Sequence, residues 1–251
     1  MKTIYLSPHF DDAALSCGGL IWEQIQAGRA VEVWTICAGT PRADVQPSDF
    51  AAEMHARWQL SPEEVVASRK IEDSAAMEVL GVQARYFDLL DAIYRQQPRT
   101  DEYLYTSDEE LFGGIHPGDR DNFRQLAIRL ANALPDGEIC LVAPLTVGNH
   151  VDHQLVRVAA EQLSVPISYY PDYPYTRTYH GSIPNLVPEG WERREISISE
   201  EGLAAWQDSA GAYISQISTF WKDEADMRKQ IEIHSETFNG MTLYEYPYTG
   251  R

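Results

Sequence analysis

Ser7–Asp12 reads SPHFDD and Gly148–His153 reads GNHVDH, and each polar stretch comes just after an apolar run, TIYL in the first case and CLVAPL in the second. These are the residue types of a metal site. His9, Asp11, Asp12, His150, Asp152 and His153 offer imidazoles and carboxylates, and two histidines with one carboxylate hold a zinc ion while leaving a coordination position for water. Two adjacent acids repel each other unless hydrogen bonds or a cation keep them ionised. A divalent ion bound by Asp12 would relieve that repulsion and leave Asp11 a carboxylate beside the activated water, where a general base has to stand.

Spacing agrees with this chemistry. A strand-to-helix turn carrying His-x-x-Asp can aim His9 and Asp12 at one point while Asp11 points elsewhere. His150 and His153 lie three apart, one turn of a helix that begins there. Either completes the ligand set, and the other is then free for acid, base or oxyanion work. Singly, each residue has an ordinary explanation: an Asp after a strand caps a helix, and a His is a hydrogen-bonded polar group. Asp12 is the one most easily explained so. Recurrence at two strand ends is what points to catalysis.

Together, PHFDDAALSCGG and HVDH resemble the LmbE/PIG-L family of metal-dependent N-deacetylases, whose pattern is His-Pro-Asp-Asp early and His-x-Asp-His in the second half. SRKIEDSAAMEVLGV, with Arg69 and Glu72, and YFDLLD extend the resemblance, which runs from about Thr3 to Leu163. Phe10 stands where the commoner pattern has proline, and Pro8 precedes the histidine instead, which suggests a side branch and weakens transfer of the substrate. The resemblance implies a Rossmann-like sheet with Zn²⁺, or another divalent metal such as Fe²⁺, on His9, Asp12 and His153. It implies Asp11 as general base, His150 as oxyanion stabiliser or proton donor to the leaving amine, and Asp152 orienting a histidine from behind. Arg69 and Asp91 correspond to substrate-contacting positions. The implied reaction removes an N-acetyl or other N-acyl group from an amino sugar or glycosylated small molecule.

The elements that must position these residues are legible in outline. TIYLSP predicts a buried strand, and Leu15, Leu20, Ile21 and Ile25 predict one face of a helix that Gly28 ends. Ala30–Gly39 predicts a second strand, so strand, helix and strand form a parallel crossover. A helix start at Ser61-Pro62-Glu63-Glu64 runs to Leu80 and Gly81, after a loop at Thr40–Phe50. Strands follow at Ala84–Leu90, Glu138–Leu145, Val165–Tyr175 and Arg194–Ser199, with helices over 120–134, from about His153, and over 199–221. Residues 96–118 predict a long surface excursion, with His116 and Asp119 at its rim. The expected fold is one α/β domain over 1–251, a Rossmann-like, mostly parallel sheet with helices on both faces. Residues 1–165 are its best-matched part and 166–251 an extension of the same domain. Ligands collect at the carboxyl ends of such strands.

Composition narrows the partners. With 38 acidic against 20 basic side chains the net charge is −18, a field that repels phosphate backbones and anionic lipid. Nucleic acid is therefore not expected, while an N-acylated sugar or a metal cation is. Cys17, Cys37 and Cys140 are scattered in apolar stretches and read as buried thiols in a reducing compartment. No signal peptide or membrane span is read, and a cytoplasmic location follows as the default. Gly18 and Gly19 lack the lysine and spacing of a phosphate loop. The aromatic stretch Tyr169–His180 suits either sugar stacking or packing, and the late segment Phe220–Gly240 suits packing on its own sheet or on a second copy. Two rivals stand beside the deacetylase: an Fe(II) oxygenase, which shares the two-His, one-carboxylate set, and a sugar-binding relative without turnover.

Overall fold

Ile4 and Leu6 face one side of the first strand and Tyr5 the other, and all three are fully buried, as expected of a central strand covered on both faces. The computed structural model describes residues 1–61, 64–97, 100–179 and 183–246. The expected helix start at Pro62 and Glu63 and the end of the aromatic loop at His180 lie outside them. Among the described residues the strands are β1 (Lys2–Ser7), β2 (Ala30–Thr35), β3 (Gln83–Tyr86), β4 (Ile139–Pro144), β5 (Ile167–Tyr170), β6 (Glu192–Ile196) and β7 (Met241–Glu245). They form one sheet in the order β3-β2-β1-β4-β5-β7-β6. The first five are parallel, and β7 and β6 close one side antiparallel. The chain turns one way from β1 to β3 and the other from β4 to β5. The crevice between β1 and β4 is thus the switch point at which ligands bind in such sheets.

The helices are α1 (Asp12–Gln26), α2 (Asp49–Trp58), α3 (Val65–Leu80), α4 (Asp108–Leu111), α5 (Arg120–Ala133), α6 (Val151–Ala160), α7 (Glu200–Gly211), α8 (Ile214–Phe220) and α9 (Glu224–Thr237). Side chains of α1, α3, α7 and α9 share a core with Tyr5 and Val33, and those of α5 and α6 share one with Ile4, Leu6 and Leu141. None of the described helices is long and apolar enough to cross a membrane. Gly18 is explained by packing, because a Cβ there would lie 2.7 Å from the Trp206 ring. The Trp206 indole donates to the Leu15 carbonyl at 2.8 Å, locking α7 onto α1.

Three expectations change. The loop expected at Thr40–Phe50 is present but ends at Ser48, which caps the start of α2, a helix not expected after it, by accepting from the Ala51 N–H at 3.1 Å. Phe50, Met54 and Trp58 repeat at helical spacing along it, a signal present in the sequence. The excursion at 96–118 is not wholly on the surface: Leu104, Tyr105 and Leu111 are buried against Phe50, Met54 and Ile93 in a third apolar cluster. The helix expected over 199–221 breaks into α7 and α8, and the break buries Tyr213. The late segment Phe220–Gly240 supplies α9, which packs with α7 in the core of the same chain and leads directly into β7 of the sheet.

Candidate metal centre

The turn after β1 is fixed by Ser7, whose hydroxyl donates to the His9 carbonyl at 2.6 Å and accepts from the Ala13 N–H at 2.9 Å. Neither acid of the pair caps α1 in the usual way. Asp11 makes no side-chain cap bond, and Asp12 turns its carboxylate back to accept from the His9 N–H at 2.7 Å. The turn after β4 presents His150 as the N-cap of α6, with Asp152 and His153 in the first turn. Because β1 and β4 are parallel neighbours, both turns meet at one edge of the sheet.

The two Asp12 oxygens face two imidazoles, with Oδ2 3.2 Å from His9 Nδ1 and Oδ1 3.3 Å from His153 Nε2. Ligands about 2.0–2.2 Å from a tetrahedral ion stand roughly 3.3–3.6 Å apart, so these separations suit a shared cation. His153 Nε2 is buried and has no hydrogen-bond partner, the mark of a lone pair kept for a metal. Nitrogen atoms of His9, His150 and His153 lie within 4.8 Å of one another. Both candidate ligand histidines are held from behind by buried carboxylates: His9 Nε2 donates to Asp152 Oδ2 at 3.0 Å, and His153 Nδ1 donates to Asp172 Oδ1 at 2.5 Å. Such carboxylate partners fix the ring and its tautomer, leaving His9 Nδ1 and His153 Nε2 to face the ion. The donor set fits a divalent metal.

Asp152 therefore serves the first motif rather than its neighbour His150. It also accepts from the Ala92 N–H at 3.0 Å and pairs with Arg95, whose other nitrogen reaches Asp119 at 2.8 Å. Asp119, expected at a loop rim, is a buried counter-charge. His150 Nδ1 accepts the Asp152 N–H at 3.2 Å, which leaves Nε2 to carry the ring proton. Burial, with His9 beside it, keeps this imidazole well below its usual pKa and hence neutral. Burial lifts Asp11 above the ordinary carboxylate range although Arg69 opposes it, whereas His153 and His9 outweigh burial and hold Asp12 well below that range. The adjacent acids are thus separated by their partners. Burial disfavours charge on His153, yet Asp12 and Asp172 push it up to about 9.

Arg69 Nη2 is 3.1 Å from Asp11 Oδ1, and its guanidinium lies over the Trp58 and Phe10 rings at 5.2 and 5.7 Å. Asp91 caps a short turn by accepting from the Ile93 N–H at 3.2 Å, with Oδ2 3.7 Å from His9 Nε2. A cavity of about 130 Å³ opens over His9, Asp11, Asp12, Arg69, Asp91 and His150. Its walls are Met54 and Trp58 of α2, Phe112 after α4, Tyr175, and Gln216, Thr219 and Phe220 at α8. Cys37, rather than Cys17, comes near the site, with a His9 nitrogen and an Asp152 oxygen within 4.8 Å. Burial raises its thiol pKa, and Asp152 is already occupied by Arg95 and Ala92, so this trio is a structural contact.

Sequence reasoning placed Asp172 only within the aromatic stretch 169–180 and missed its role behind His153, and it missed Arg95 and the α2 and α8 walls. Asp172 could have been suspected from its place after β5, at the same sheet edge as both motifs. The α8 residues carry no local signal.

The comparisons with known proteins agree with this geometry. A 2'-N-acetylparomamine deacetylase of Niallia circulans is 29% identical over 77% of this chain and 73% of its own length. A 2'-N-acetylparomamine deacetylase of Streptomyces fradiae is 31% identical over 69% of this chain and 57% of its own length. The solved structure of a teicoplanin deacetylase in a zinc-inhibited form superposes with a TM-score of 0.83 at 26% identity, covering 97% of each chain. The profile of the PIG-L family, described as GlcNAc-PI de-N-acetylase, matches residues 4–164, which span both motifs. The chain, with its paired motifs joined at one sheet edge, belongs to the PIG-L family of N-deacetylases.

Proposed function

We propose that this protein is a zinc-dependent N-deacetylase of amino sugars within glycosylated small molecules, with His9, Asp12 and His153 holding the ion. The observation that carries this reading is the division of four buried carboxylates. Asp12 faces two histidines, Asp152 and Asp172 stand behind those histidines, and Asp11, the one of the four that faces no histidine in this way, opens onto the cavity beside them. A zinc ion held there would supply Lewis-acid polarisation of the acyl carbonyl and a water acidified toward neutrality.

Asp11 takes the proton of the attacking water as general base and returns it to the leaving amine, so one carboxyl works in both directions. Arg69 keeps Asp11 aligned and disfavours its premature protonation. His150, neutral with its proton on Nε2, donates to the developing oxyanion, a contribution typically worth about 3 kcal/mol. Trp58, Phe112 and Phe220 offer flat apolar faces to a sugar ring, while Gln216, Thr219 and Asp91 offer polar contacts to hydroxyl or amine groups. The two paromamine relatives support an amino-sugar acceptor. Three cysteines with free thiols support a reducing compartment such as the cytoplasm, and we read residues 1–251 as one LmbE-like domain.

The test is acetate release by the zinc-loaded protein from 2'-N-acetylparomamine and simple N-acetylglucosaminides. Turnover on at least one, abolished in Asp11→Asn, is expected. Stoichiometric zinc without release from any N-acetyl sugar would overturn the proposal, and iron with oxygen consumption would replace it by the oxygenase reading.

A further inference from the structure

Tyr213, in the break between α7 and α8, points its hydroxyl into the interior. There it lies 2.9 Å from the Phe10 carbonyl oxygen and 2.8 Å from Asp73 Oδ1. Tyr213 and Asp73 are both shut off from solvent. A phenol has one proton and donates one hydrogen bond. If Tyr213 donates to Phe10, its contact with Asp73 is a hydrogen bond only when Asp73 supplies the proton. If it donates to an ionised Asp73, the Phe10 carbonyl loses its donor. Asp73 Oδ2 is buried without a hydrogen bond of good geometry, the Tyr86 hydroxyl being the other group near the carboxyl, a lack that a buried carboxylate tolerates poorly and a neutral carboxyl tolerates well.

We propose that Asp73 is a neutral carboxylic acid whose proton goes to the Tyr213 oxygen, and that Tyr213 in turn donates to the Phe10 carbonyl, fixing the peptide that carries Asp11. The groups facing Asp73 are Tyr213 from the α7–α8 break, Tyr86 from β3, Arg69 from its own helix and Asp11 from the β1 turn. Among them burial dominates and pushes Asp73 up to about 7. Tyr213, Tyr86 and Arg69 oppose burial, and Asp11 acts with it. Arg69 and Asp73 are one turn apart on α3, so this helix grips Asp11 twice: by its carboxylate through Arg69 and by its backbone through the Asp73–Tyr213 chain. Both are positioning residues. The second grip recruits the segment after residue 164, where the family match ends. It also gives the neutral acid a purpose that packing alone would not require.

The catalytic consequence rests on Asp11 being the base, whereas the proton on Asp73 does not, and the experiment separates the two. An infrared difference spectrum of wild type against Asp73→Asn at pH 6 should contain the carbonyl stretch of a protonated carboxylic acid. Tyr213→Phe should lower kcat roughly fivefold to tenfold, the scale of one lost hydrogen bond, with KM and metal content unchanged. Asp73→Asn, which keeps a neutral donor, should stay within about threefold of wild type while Asp73→Leu falls as far as Tyr213→Phe. Absence of the acid band overturns the proposal. So does a wild-type kcat in Tyr213→Phe, or a loss in Asp73→Asn equal to that in Tyr213→Phe. The infrared measurement needs no substrate and no folded Tyr213 variant, so it decides the proton even if the deacetylase reading fails.

Discussion

Asp152 Oδ2 lies 3.0 Å from His9 Nε2, so the acid of the second motif orients the histidine of the first across the seam between β1 and β4. Asp152 is itself held by Arg95 and the Ala92 N–H. Burial alone would raise its pKa, but Arg95 and His9 more than offset that and keep it ionised. The two motifs therefore form one unit, and disturbing either should be felt in the other.

Metal binding follows from this coupling. His153→Ala removes a ligand and should leave the purified protein with little bound zinc. Asp152→Asn removes the anionic support of His9, together with the charge that pairs with Arg95, and should weaken zinc about 10- to 100-fold. Competition with a zinc chelator measures both, and unchanged affinity in His153→Ala would reject the ligand assignment.

The division of labour between the remaining two polar groups is separable by kinetics. Asp11→Asn should retain zinc while kcat falls by about 10²–10⁴. His150→Ala should also retain zinc and lose about 10²–10³ in kcat, with KM little changed. Steady-state rates on an N-acetyl amino sugar, with metal content measured in parallel, distinguish loss of chemistry from loss of the ion.

Thr219 lines the cavity, and its hydroxyl is buried without a hydrogen-bond partner in the protein. A substrate hydroxyl or amine is the natural occupant. Thr219→Val should leave the melting temperature unchanged or slightly raised and increase KM roughly fivefold, the worth of one hydrogen bond. An unaltered KM would mean that the substrate does not reach α8.

His234 is packed among the rings of Tyr173, Trp206 and Phe238, and burial takes its pKa down to about 4. In the unfolded chain a histidine titrates near 6.5, so below that pH the unfolded state takes up a proton that the folded state refuses. Stability is complete above pH 6.5 and declines as pH falls toward 4, by about 3 kcal/mol from this residue. Thermal melts from pH 7 to 4 should show a steeper loss in wild type than in His234→Gln, whatever their absolute values. Parallel curves would exclude His234 as the acid-sensitive group.

The sequence by itself determined the first strands and helix, because a short apolar run, a helical apolar face and a glycine stop are local properties. It also supplied all six polar residues at the two strand ends, since each motif is a continuous stretch of chain. The stretch 40–48 was legible as a loop, but the helix after it was left unassigned although Phe50, Met54 and Trp58 carry a helical repeat, because the turn residues before them drew the reading. Only the tertiary structure decided which atom meets which. Asp152 could be assigned to His9 rather than His150 only once β1 and β4 were neighbours, and Asp172 became the partner of His153 only once β5 lay beside β4. The grip of Arg69 on Asp11 and the Tyr213 hydroxyl at the Phe10 carbonyl join residues far apart in the chain. Hydrogen-bond partners and burial depend on distances of a few ångström that sequence spacing does not encode across elements. The chemistry was therefore legible as an inventory, and its arrangement was not.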